Sequence, residues 1–478
     1  MVNLISVHQA FRFELDPNDR TRSALTSHAG GSRFAFNWGL SLVKSRLSER
    51  ERMAEQALVE GFSSREAKEM AAQVDVPWTL PALRREWNRA KAEVAPWWPE
   101  NSKEAYSSGL DALARALKAF SDSRNGKRAG RRSGFPRFKR HGTRSSCRFT
   151  TGALGVIDNR HVRLPRIGVI RSKEPTVKLA TLLNAGLARI LSATISESAG
   201  RWWISFTVEA QREVARPTQP DMVVGLDVGV ASLAVLSTGE VVANPKPLAR
   251  YAKRMARLQR RLARQRHGGK NESPSNRAKR TKATLARCHR KVADLRSDGL
   301  HKLTTHLTET YGTVVIEDLN VAGMSARGSR GTRAKAGLNR AILDASPATL
   351  RRQLSYKASW KGSRLVVAER WYPSSKTCSS CKAVKAKLSL GERTFSCKDC
   401  GLEVDRDLNA AANLAALAEK VAVSGAETQN GRGGERSQAS DAGQCFPLKR
   451  QAGTGQPDKT GTAASKGTAA LAQRTDDR

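Results

Sequence analysis

The chain has 478 residues, and its 83 lysines and arginines outnumber its 44 aspartates and glutamates, which gives a formal net charge of +39. This length allows roughly three domains of about 150 residues each, and so large a positive charge favours a polyanionic partner, nucleic acid above all. No apolar run approaches the roughly 18 residues that span a bilayer, and no signal peptide opens the chain. We therefore expect a soluble, intracellular protein with no membrane partner.

The first part of the chain is predicted to be a β unit that a group of helices interrupts. A strand-like opening leads to a turn at 16–18 and then to helical sequence, and residues 49–119 favour helices that break near three prolines. Strand patterns return at 156–170 and 189–210. The second of these patterns predicts a hairpin that turns at Gly200.

The second part of the chain is predicted to contain a mixed α/β sheet. Apolar runs with the length of buried strands occur at 221–242, 313–319 and 363–369. A long basic helical hairpin is expected between the first two runs. The end of the chain, residues 423–478, is rich in Gly, Ser, Gln and charge with little apolar content, so we expect it to be disordered.

Positive charge is concentrated in two stretches of the chain. Residues 124–148 contain ten lysines and arginines and no acid, and residues 250–296 contain seventeen and only two acids. Both stretches are candidate phosphate-binding segments. In the second, Met255, Leu258 and Leu262 recur at helical spacing, so a helix would bury one stripe and expose its arginines. A basic helix that is merely solvated is the alternative.

Four of the seven cysteines have the spacing of a zinc site. Cys378 and Cys381 form one CxxC pair, Cys397 and Cys400 form a second, and fifteen residues separate the pairs. Each pair can direct two thiolates at one tetrahedral Zn²⁺. Four protein ligands leave no open position, so we expect one structural zinc ion. Disulfides are the alternative, which an intracellular setting disfavours.

Acidic residues occur where buried strands are predicted. Asp227 lies in the apolar run VVGLDVGV, and Glu317 ends the run TVVIEDL. An unpaired buried carboxylate costs on the order of several kcal/mol, so each needs a cation, a hydrogen-bond partner or an exposed position. Asp405 and Asp407 precede an alanine-rich helix, whose N-terminal end favours anions. Three carboxylates from two strands and a helix are suitable ligands for two Mg²⁺ ions, which could activate water for phosphodiester cleavage.

Seven motifs follow one another between residues 10 and 416: GSRFAFNWGL, GFPRFKR, GLDVGV, VVIEDLN, QLSYKASWKGSRL, YPSSKTCSSC and FSCKDCGLEVDRDLNAAANL. With this series the chain resembles the TnpB family, the RNA-guided DNA endonucleases of insertion sequences, which are related to compact type V CRISPR effectors. The resemblance implies that Asp227, Glu317 and Asp407 are the catalytic acids. Asp407 rather than Asp405 fits, because the family's last acid stands two residues before the asparagine that is Asn409 here.

The resemblance also implies a fold class, which is α+β and multidomain. It consists of a β-barrel wedge domain with a helical recognition insertion, followed by an RNase H-like (RuvC) α/β nuclease domain with a basic helical insertion and an inserted zinc ribbon. The expected boundaries are 1–48 and 124–216 for the two parts of the wedge, 49–123 for the recognition insertion, 221–375 for the nuclease domain with its basic hairpin at about 246–311, 376–402 for the zinc ribbon, 403–422 for the final nuclease helix and 423–478 for the tail.

The implied activity is cleavage of both strands of DNA by a single centre with two Mg²⁺ ions. Guide RNA would select the target by base pairing, next to a short target-adjacent motif. The expected partners are therefore guide RNA and double-stranded target DNA, and in a bacterium the protein would be cytoplasmic and nucleoid-associated, either as a monomer or as a homodimer. The expected nucleic-acid contacts are Arg137, Lys139, Arg140, Arg254, Arg257 and Arg261.

Three other classes of function stay open on the sequence alone. A guided DNA-binding regulator without nuclease activity would have no need of the three intact acids. A transposase that joins DNA strands would use a similar fold and the same number of acids. An unguided RNA-binding protein with a zinc ribbon would account for the charge, but it would leave the acids on the strands unexplained.

Overall fold

The structure is a computed structural model that describes residues 4–128, 130–140, 145–265, 274–326, 333–389 and 391–425. Residues 426–478 of the predicted disordered tail lie outside the described residues. The elements are β1 Leu4–Leu15, α1 Asp19–Val59, α2 Ser64–Ala72, α3 Leu80–Val94, a 3₁₀ turn Trp98–Glu100, α4 Lys103–Arg124, β2 Ser146–Phe149, β3 Gly155–Val156, β4 His161–Leu164, β5 Gly168–Arg171, α5 Val177–Asn184, β6 Ala188–Ser198, β7 Arg201–Glu213, β8 Gln219–Asp227, β9 Ser232–Leu236, β10 Val241–Ala243, α6 Pro247–Arg264, α7 Asn276–Thr310, β11 Tyr311–Glu317, α8 Val321–Met324, α9 Arg333–Ala345, α10 Pro347–Lys361, β12 Arg364–Ala368, β13 Thr394–Ser396, β14 Glu403–Asp405 and α11 Arg406–Gly425.

Two antiparallel sheets form the first β unit. The larger sheet has the strand order β1-β7-β6-β2, and the smaller has the order β3-β4-β5. The predicted hairpin is present, since β6 and β7 pair directly and the turn places Ala199 and Gly200 at φ 54° and 76°. Residues of both sheets share one hydrophobic core, in which Phe149, Ile170 and Phe206 are buried.

The helices between β1 and β2 begin directly after the turn at 16–18, as the sequence predicted. Asn18 accepts a hydrogen bond from the Thr21 backbone N–H at 2.9 Å and so caps α1. No proline follows until residue 77, so nothing breaks α1 before Val59. The helix therefore crosses the boundary expected between residues 48 and 49.

A mixed five-stranded sheet organises the second part of the chain, as the apolar runs predicted. The strand order is β10-β9-β8-β11-β12. Strand β9 runs antiparallel to both β8 and β10, whereas β11 runs parallel to both β8 and β12. Helices α7 and α10 pack on one face of the sheet and α11 packs on the other. Because β8 and β11 are parallel neighbours, with Ile316 opposite Leu226, their carboxyl ends lie side by side.

The basic helical hairpin is present as helices α6 and α7. The two helices pack through a small apolar cluster in which Met255, Cys288 and Val292 are buried and Leu258 is partly buried. This arrangement agrees with the predicted apolar stripe and leaves the arginines of α6 facing solvent.

A small cysteine-containing module separates β12 from α11. Its hairpin consists of β13 and β14, and Phe395 is fully buried beside Cys378 and Cys397. The hairpin extends past the boundary expected at residue 402, because Thr394 pairs with Asp405. Strand β14 therefore belongs to the cysteine module, and α11 begins immediately after it at Arg406.

Candidate functional site

Asp227 and Glu317 lie at the carboxyl ends of adjacent parallel strands. Asp227 is the last residue of β8, and Glu317 is the last residue of β11. The register that pairs Ile316 with Leu226 brings the next residue of each strand to the same level at the edge of the sheet. Ligands of open α/β sheets commonly bind at this edge, where loops leave neighbouring strands in different directions.

Asp407 reaches the same edge from the first turn of α11. This helix approaches β8 so closely that a Cβ atom on Gly225 would lie 1.9 Å from the carbonyl oxygen of Ala411. Asp405 has another role. Its carboxylate accepts hydrogen bonds from the backbone N–H groups of Asp407 at 2.9 Å and Leu408 at 3.0 Å. Asp405 therefore caps the helix, and the side chain of Asp407 is left to face the strand ends.

The three acids act on one another electrostatically. Burial, followed by the nearby charges of Glu317 and Asp407, raises the pKa of Asp227 from 3.8 to about 7. The Arg406 guanidinium opposes this shift, and Asp405 adds a smaller repulsion. Asp227, Glu317 and Asp407 thus lie close enough for their charges to interact.

Two of these carboxylates have local hydrogen-bond partners. The Ser374 hydroxyl donates to Glu317, and Arg406 donates to one oxygen of Asp407 from Nε at 3.1 Å and from a terminal nitrogen at 3.0 Å. Oxygen donors around an excess of negative charge suit hard cations such as Mg²⁺. Among groups of three or more His, Cys, Asp or Glu side chains in the described residues, however, only the four cysteines have all their ligand atoms within 4.8 Å of one another. The acids would therefore have to draw closer around cations.

Two buried asparagines connect α11 to the chain that leads into the cysteine module. Asn409 donates to the Thr377 carbonyl at 2.7 Å, and Asn413 donates to the Thr377 and Ser374 carbonyls at 2.6 and 2.9 Å. Sequence reasoning missed this role of the asparagines. Their spacing of four residues, which places both on one face of α11, was the available signal.

The four cysteines converge as the CxxC pairs predicted. The sulfur atoms of Cys378 and Cys400 are 3.6 Å apart, and those of Cys381 and Cys397 are 3.5 Å apart. Ligands at about 2.3 Å from a tetrahedral zinc would be separated by roughly 3.8 Å, so the geometry fits this ion. Burial alone would raise the pKa of Cys378, but backbone N–H groups that donate to its sulfur lower it to about 7. The pKa of Cys381 moves the opposite way. The backbone N–H group of Ala383 lowers this pKa, but burial and hydrogen bonds with the other thiols outweigh that effect and raise it to about 12.

The predicted nucleic-acid contacts differ in their exposure. Arg137 and Arg140 are exposed on the segment that follows α4, and Arg254, Arg257 and Arg261 are exposed on α6. Lys139 lies differently. Its ammonium group is 4.0 Å from the centre of the Phe36 ring, its backbone pairs with the Asn37 side chain, and burial lowers its pKa.

No helix in the described part of the chain is both long enough and apolar enough to cross a membrane.

Models of three protein families match the chain. The OrfB_IS605 family, whose description is "Probable transposase", matches residues 205–327. The TNB domain of Cas12f1-like proteins matches residues 348–414, which include the cysteine module and the start of α11. A helix-turn-helix model matches residues 1–52, but the structure has a strand and a single long helix there.

Relatives with similar sequences cover most of the chain. A Mycobacterium tuberculosis protein, named as a candidate RNA-guided DNA endonuclease, is 39% identical over 435 residues, which are 87% of this chain and 88% of that protein. Escherichia coli InsQ carries the same description and is 31% identical over 432 residues, which are 89% of this chain and 96% of InsQ. Shorter matches include TnpB-like proteins of a mimivirus. The chain belongs to the TnpB family of these proteins, as the motif series indicated.

Among solved structures, one Cas12f1 chain from a complex with single-guide RNA and target DNA aligns with 86% of this chain and 99% of its own length. The sequence identity is 13% and the TM-score is 0.43.

Proposed function

We propose that this protein is an RNA-guided DNA endonuclease whose catalytic acids are Asp227, Glu317 and Asp407. The observation that carries the proposal is the electrostatic cluster at the ends of β8 and β11. There, Glu317 and Asp407 help to raise the pKa of Asp227 to about 7. Strongly perturbed carboxyl groups in a cluster are typical of functional sites, and the description of the relatives as RNA-guided DNA endonucleases supports this activity.

The three acids would together hold two Mg²⁺ ions, which when bound would activate a water molecule and stabilise the leaving oxygen of the phosphodiester. Two neighbouring residues would hold the acids in position. Ser374 holds Glu317 by its hydroxyl, and Asp405 caps the helix that carries Asp407. The four cysteines would hold one structural Zn²⁺ ion, and the sulfur separations of about 3.5 Å support this assignment.

The rest of the chain would bind the nucleic acids. The two sheets of the first part would form the wedge barrel, with α1 to α4 as its recognition insertion, and the mixed sheet would be the RuvC-like nuclease core. Guide RNA and target DNA would bind the exposed arginines of α6 and of residues 130–140 through their phosphates. Base pairing with the guide would then select the target.

Cleavage of a plasmid target by the protein purified with its RNA tests the catalytic assignment. The substitutions Asp227→Asn, Glu317→Gln and Asp407→Asn should each reduce cleavage at least about 1000-fold, while guided binding persists, because each removes a charged metal ligand. Asp405→Asn is the matched control. Asparagine caps helices as well as aspartate does, so this variant should cut at close to the wild-type rate. Normal cutting by any of the first three variants would show that the replaced acid is not a catalytic residue.

Sequencing of the copurified RNA tests guidance separately. A single abundant RNA with a constant region and a variable end supports a guided enzyme. A mixture of cellular RNAs would contradict guidance and indicate binding by charge alone.

Strand joining is a second candidate activity, because the OrfB_IS605 family is described as transposases. Sealed products in which the cleaved end is attached to new DNA would favour it. Products that carry only free ends would exclude joining under the conditions used.

A further inference from the structure

The four cysteines of the module differ in their access to solvent. Cys378 and Cys397 are buried, whereas Cys381 and Cys400 are exposed, so each CxxC pair contributes one buried and one exposed sulfur. Zinc-bound cysteines are thiolates, which are the reactive form of the side chain. Because oxidation of a thiolate follows its exposure, Cys381 and Cys400 are the sulfur atoms that a small oxidant in solution would reach first.

Each exposed sulfur also lies against a buried sulfur of the other CxxC pair. Cys381 is 3.5 Å from Cys397, and Cys400 is 3.6 Å from Cys378. An approach of about 1.5 Å would bring either pair of sulfur atoms to the length of a disulfide bond. An oxidised exposed cysteine therefore has a second sulfur beside it with which to react.

The residues on either side of Cys378 are hydrogen-bonded to the helix that carries Asp407. The Thr377 carbonyl accepts a hydrogen bond from the Asn409 side chain at 2.7 Å, and the Ser379 N–H donates to the same side chain at 2.9 Å. Asn409 is fully buried in α11. A shift of Cys378 would therefore be transmitted directly to this helix.

The turn that leads to Cys378 also contacts Glu317. Ser374, which is buried in this turn, donates its hydroxyl to the Glu317 carboxylate. The turn is closed by Thr377, whose backbone N–H and hydroxyl donate to the Pro373 carbonyl at 3.0 and 2.8 Å. One short segment thus connects the first cysteine to two of the three acids.

We propose that the cysteine module is a redox switch, in which peroxide oxidises the exposed cysteines, zinc is released and the acids lose their alignment. The disulfides formed would join Cys381 to Cys397 and Cys400 to Cys378. The inference rests on the proposed function, since it takes the four cysteines as zinc ligands and the three acids as catalytic residues.

The electrons and atoms of the oxidation balance with hydrogen peroxide as the oxidant. An exposed thiolate attacks one peroxide oxygen, the O–O bond breaks, hydroxide leaves, and the sulfur becomes a sulfenic acid. The neighbouring buried thiolate then attacks that sulfur, displaces a second hydroxide and forms the disulfide. Two thiolates thus lose two electrons to one peroxide, and two protons from solvent convert both hydroxides to water. The thiolate is the form that binds metal, so zinc leaves.

The test treats the full chain, purified with its RNA, with excess hydrogen peroxide. A colorimetric zinc indicator measures release of the ion, and mass spectrometry of tryptic peptides locates the disulfides. Trypsin leaves both cysteines of the first pair in peptide 377–382 and separates those of the second pair into peptides 394–398 and 399–406. Peroxide should release zinc and join the first peptide to each of the other two. A disulfide confined within 377–382 would contradict the proposed pairing.

A variant without exposed thiolates tests their role. Histidine is an ordinary zinc ligand, so Cys381→His combined with Cys400→His should still hold one zinc ion. Peroxide should release this zinc at least about 10-fold more slowly than in the wild type, because the remaining thiolates are buried. The matched control replaces the three isolated cysteines, Cys147, Cys288 and Cys445, by alanine, and it should release zinc at the wild-type rate. If the histidine variant does not fold, the peptide map of the wild type decides.

Guided plasmid cleavage measures the effect on the acids. Oxidised protein should cut roughly 10- to 100-fold more slowly, as when the outer partners of metal ligands are lost. A phosphine reductant with added Zn²⁺ should restore the rate. Recovery excludes methionine oxidation as the cause, because methionine sulfoxide needs an enzyme for its reduction.

Two results would overturn the inference: zinc and free thiols that persist in excess peroxide, or release of zinc with no change in cleavage. The untreated wild type separates this failure from failure of the proposed function. If the untreated protein does not cut, the proposed function itself is wrong. If it cuts and peroxide changes neither its zinc content nor its rate, only the redox switch is wrong.

Discussion

The burial of Asp227, together with the negative charge around it, should make the stability of the metal-free protein depend on pH. Its pKa is about 7 in the folded protein and 3.8 as the ordinary value. Between these pH values the folded chain holds a proton that the unfolded chain has released. The free energy of unfolding should therefore fall as pH rises from about 4 to 7, and the contribution of this carboxyl group is lost above pH 7.

Asp227→Asn should remove that slope. Denaturant unfolding of both proteins should be measured in EDTA across pH 4 to 8. As pH rises, the variant should become more stable than the wild type by up to a few kcal/mol, which is roughly 1.4 kcal/mol for each unit of pKa shift. Asp221→Asn, an exposed acid at the other end of β8, is the control. Parallel curves for the wild type and Asp227→Asn would contradict the raised pKa.

Asn413 is expected to contribute to stability through buried hydrogen bonds. Its side chain donates to the carbonyls of Ser374 and Thr377, and Asn413→Ala leaves both carbonyls without this donor. The free energy of unfolding should fall by about 2–4 kcal/mol, since each lost buried partner costs about 1–3 kcal/mol. Chemical denaturation measures the change. Asn125→Ala, at an exposed position after α4, should change stability by less than about 0.5 kcal/mol.

At the scale of elements, the close contact between α11 and β8 should hold Asp407 in its position near the strand ends. A methyl group on Gly225 would lie 1.9 Å from the Ala411 carbonyl oxygen and 2.6 Å from the Ala415 nitrogen, both in the helix backbone. Gly225→Ala should therefore push α11 away from the sheet, destabilise the protein by at least about 1–3 kcal/mol and reduce cleavage. Thermal unfolding and cleavage rates of the purified variant are the measurements.

Gly337→Ala is the matched control for this prediction. Gly337 lies within α9, and a methyl group there has open space around it. Alanine is the better helix former, so this variant should keep its activity and gain up to about 1 kcal/mol. Equal behaviour of the two variants would mean that the close packing of α11 does not matter for the site.

The cysteine module should depend on its metal for its folded structure. It has a short hairpin and a small core around Phe395, too little apolar burial to fold without further support. Elemental analysis should find one zinc ion per chain. Cys378→Ser should lose that ion and make residues 376–405 sensitive to protease, whereas Cys288→Ser, in the core of the basic hairpin, should retain it. A zinc-free wild type that resists protease would refute the structural role.

At the scale of the whole molecule, aromatic and basic residues join the two parts of the chain. The Trp203 ring in β7 lies between two guanidinium groups, with Arg12 in β1 and Arg290 in α7 each 4.3 Å from a ring centre. A second contact places Arg212 in β7 4.7 Å from the ring centre of Trp360 in α10. Cation–π contacts of this kind hold α7, one arm of the basic hairpin, against the first β unit.

Local patterns in the sequence predicted more of the site than of its surroundings. Asp227 and Glu317 could be assigned to strand ends because apolar runs and carboxylates are local features. The start of α1 after the turn at 16–18 was predicted, but its continuation across residue 48 was not, since helical residues on both sides of that position give no signal for a boundary that depends on packing. The pairing of Asp318 with Arg351 in α10 and Arg370 after β12 was also missed, because only the folded chain brings these residues together.

The exposed arginines of α6 should dominate the salt dependence of nucleic-acid binding. Replacing Arg254, Arg257 and Arg261 by glutamine removes three charges from one exposed face. If each contacts a phosphate, the plot of log affinity against log salt concentration should become shallower by about one unit per residue, with little effect on the target sequence chosen. Arg65→Gln combined with Arg89→Gln is the control, because Glu69 and Glu86 already pair with these arginines. An identical slope for both sets of variants would show that the hairpin does not lie on the nucleic acid, whereas a loss confined to the α6 variant would assign the guide and its target to this face.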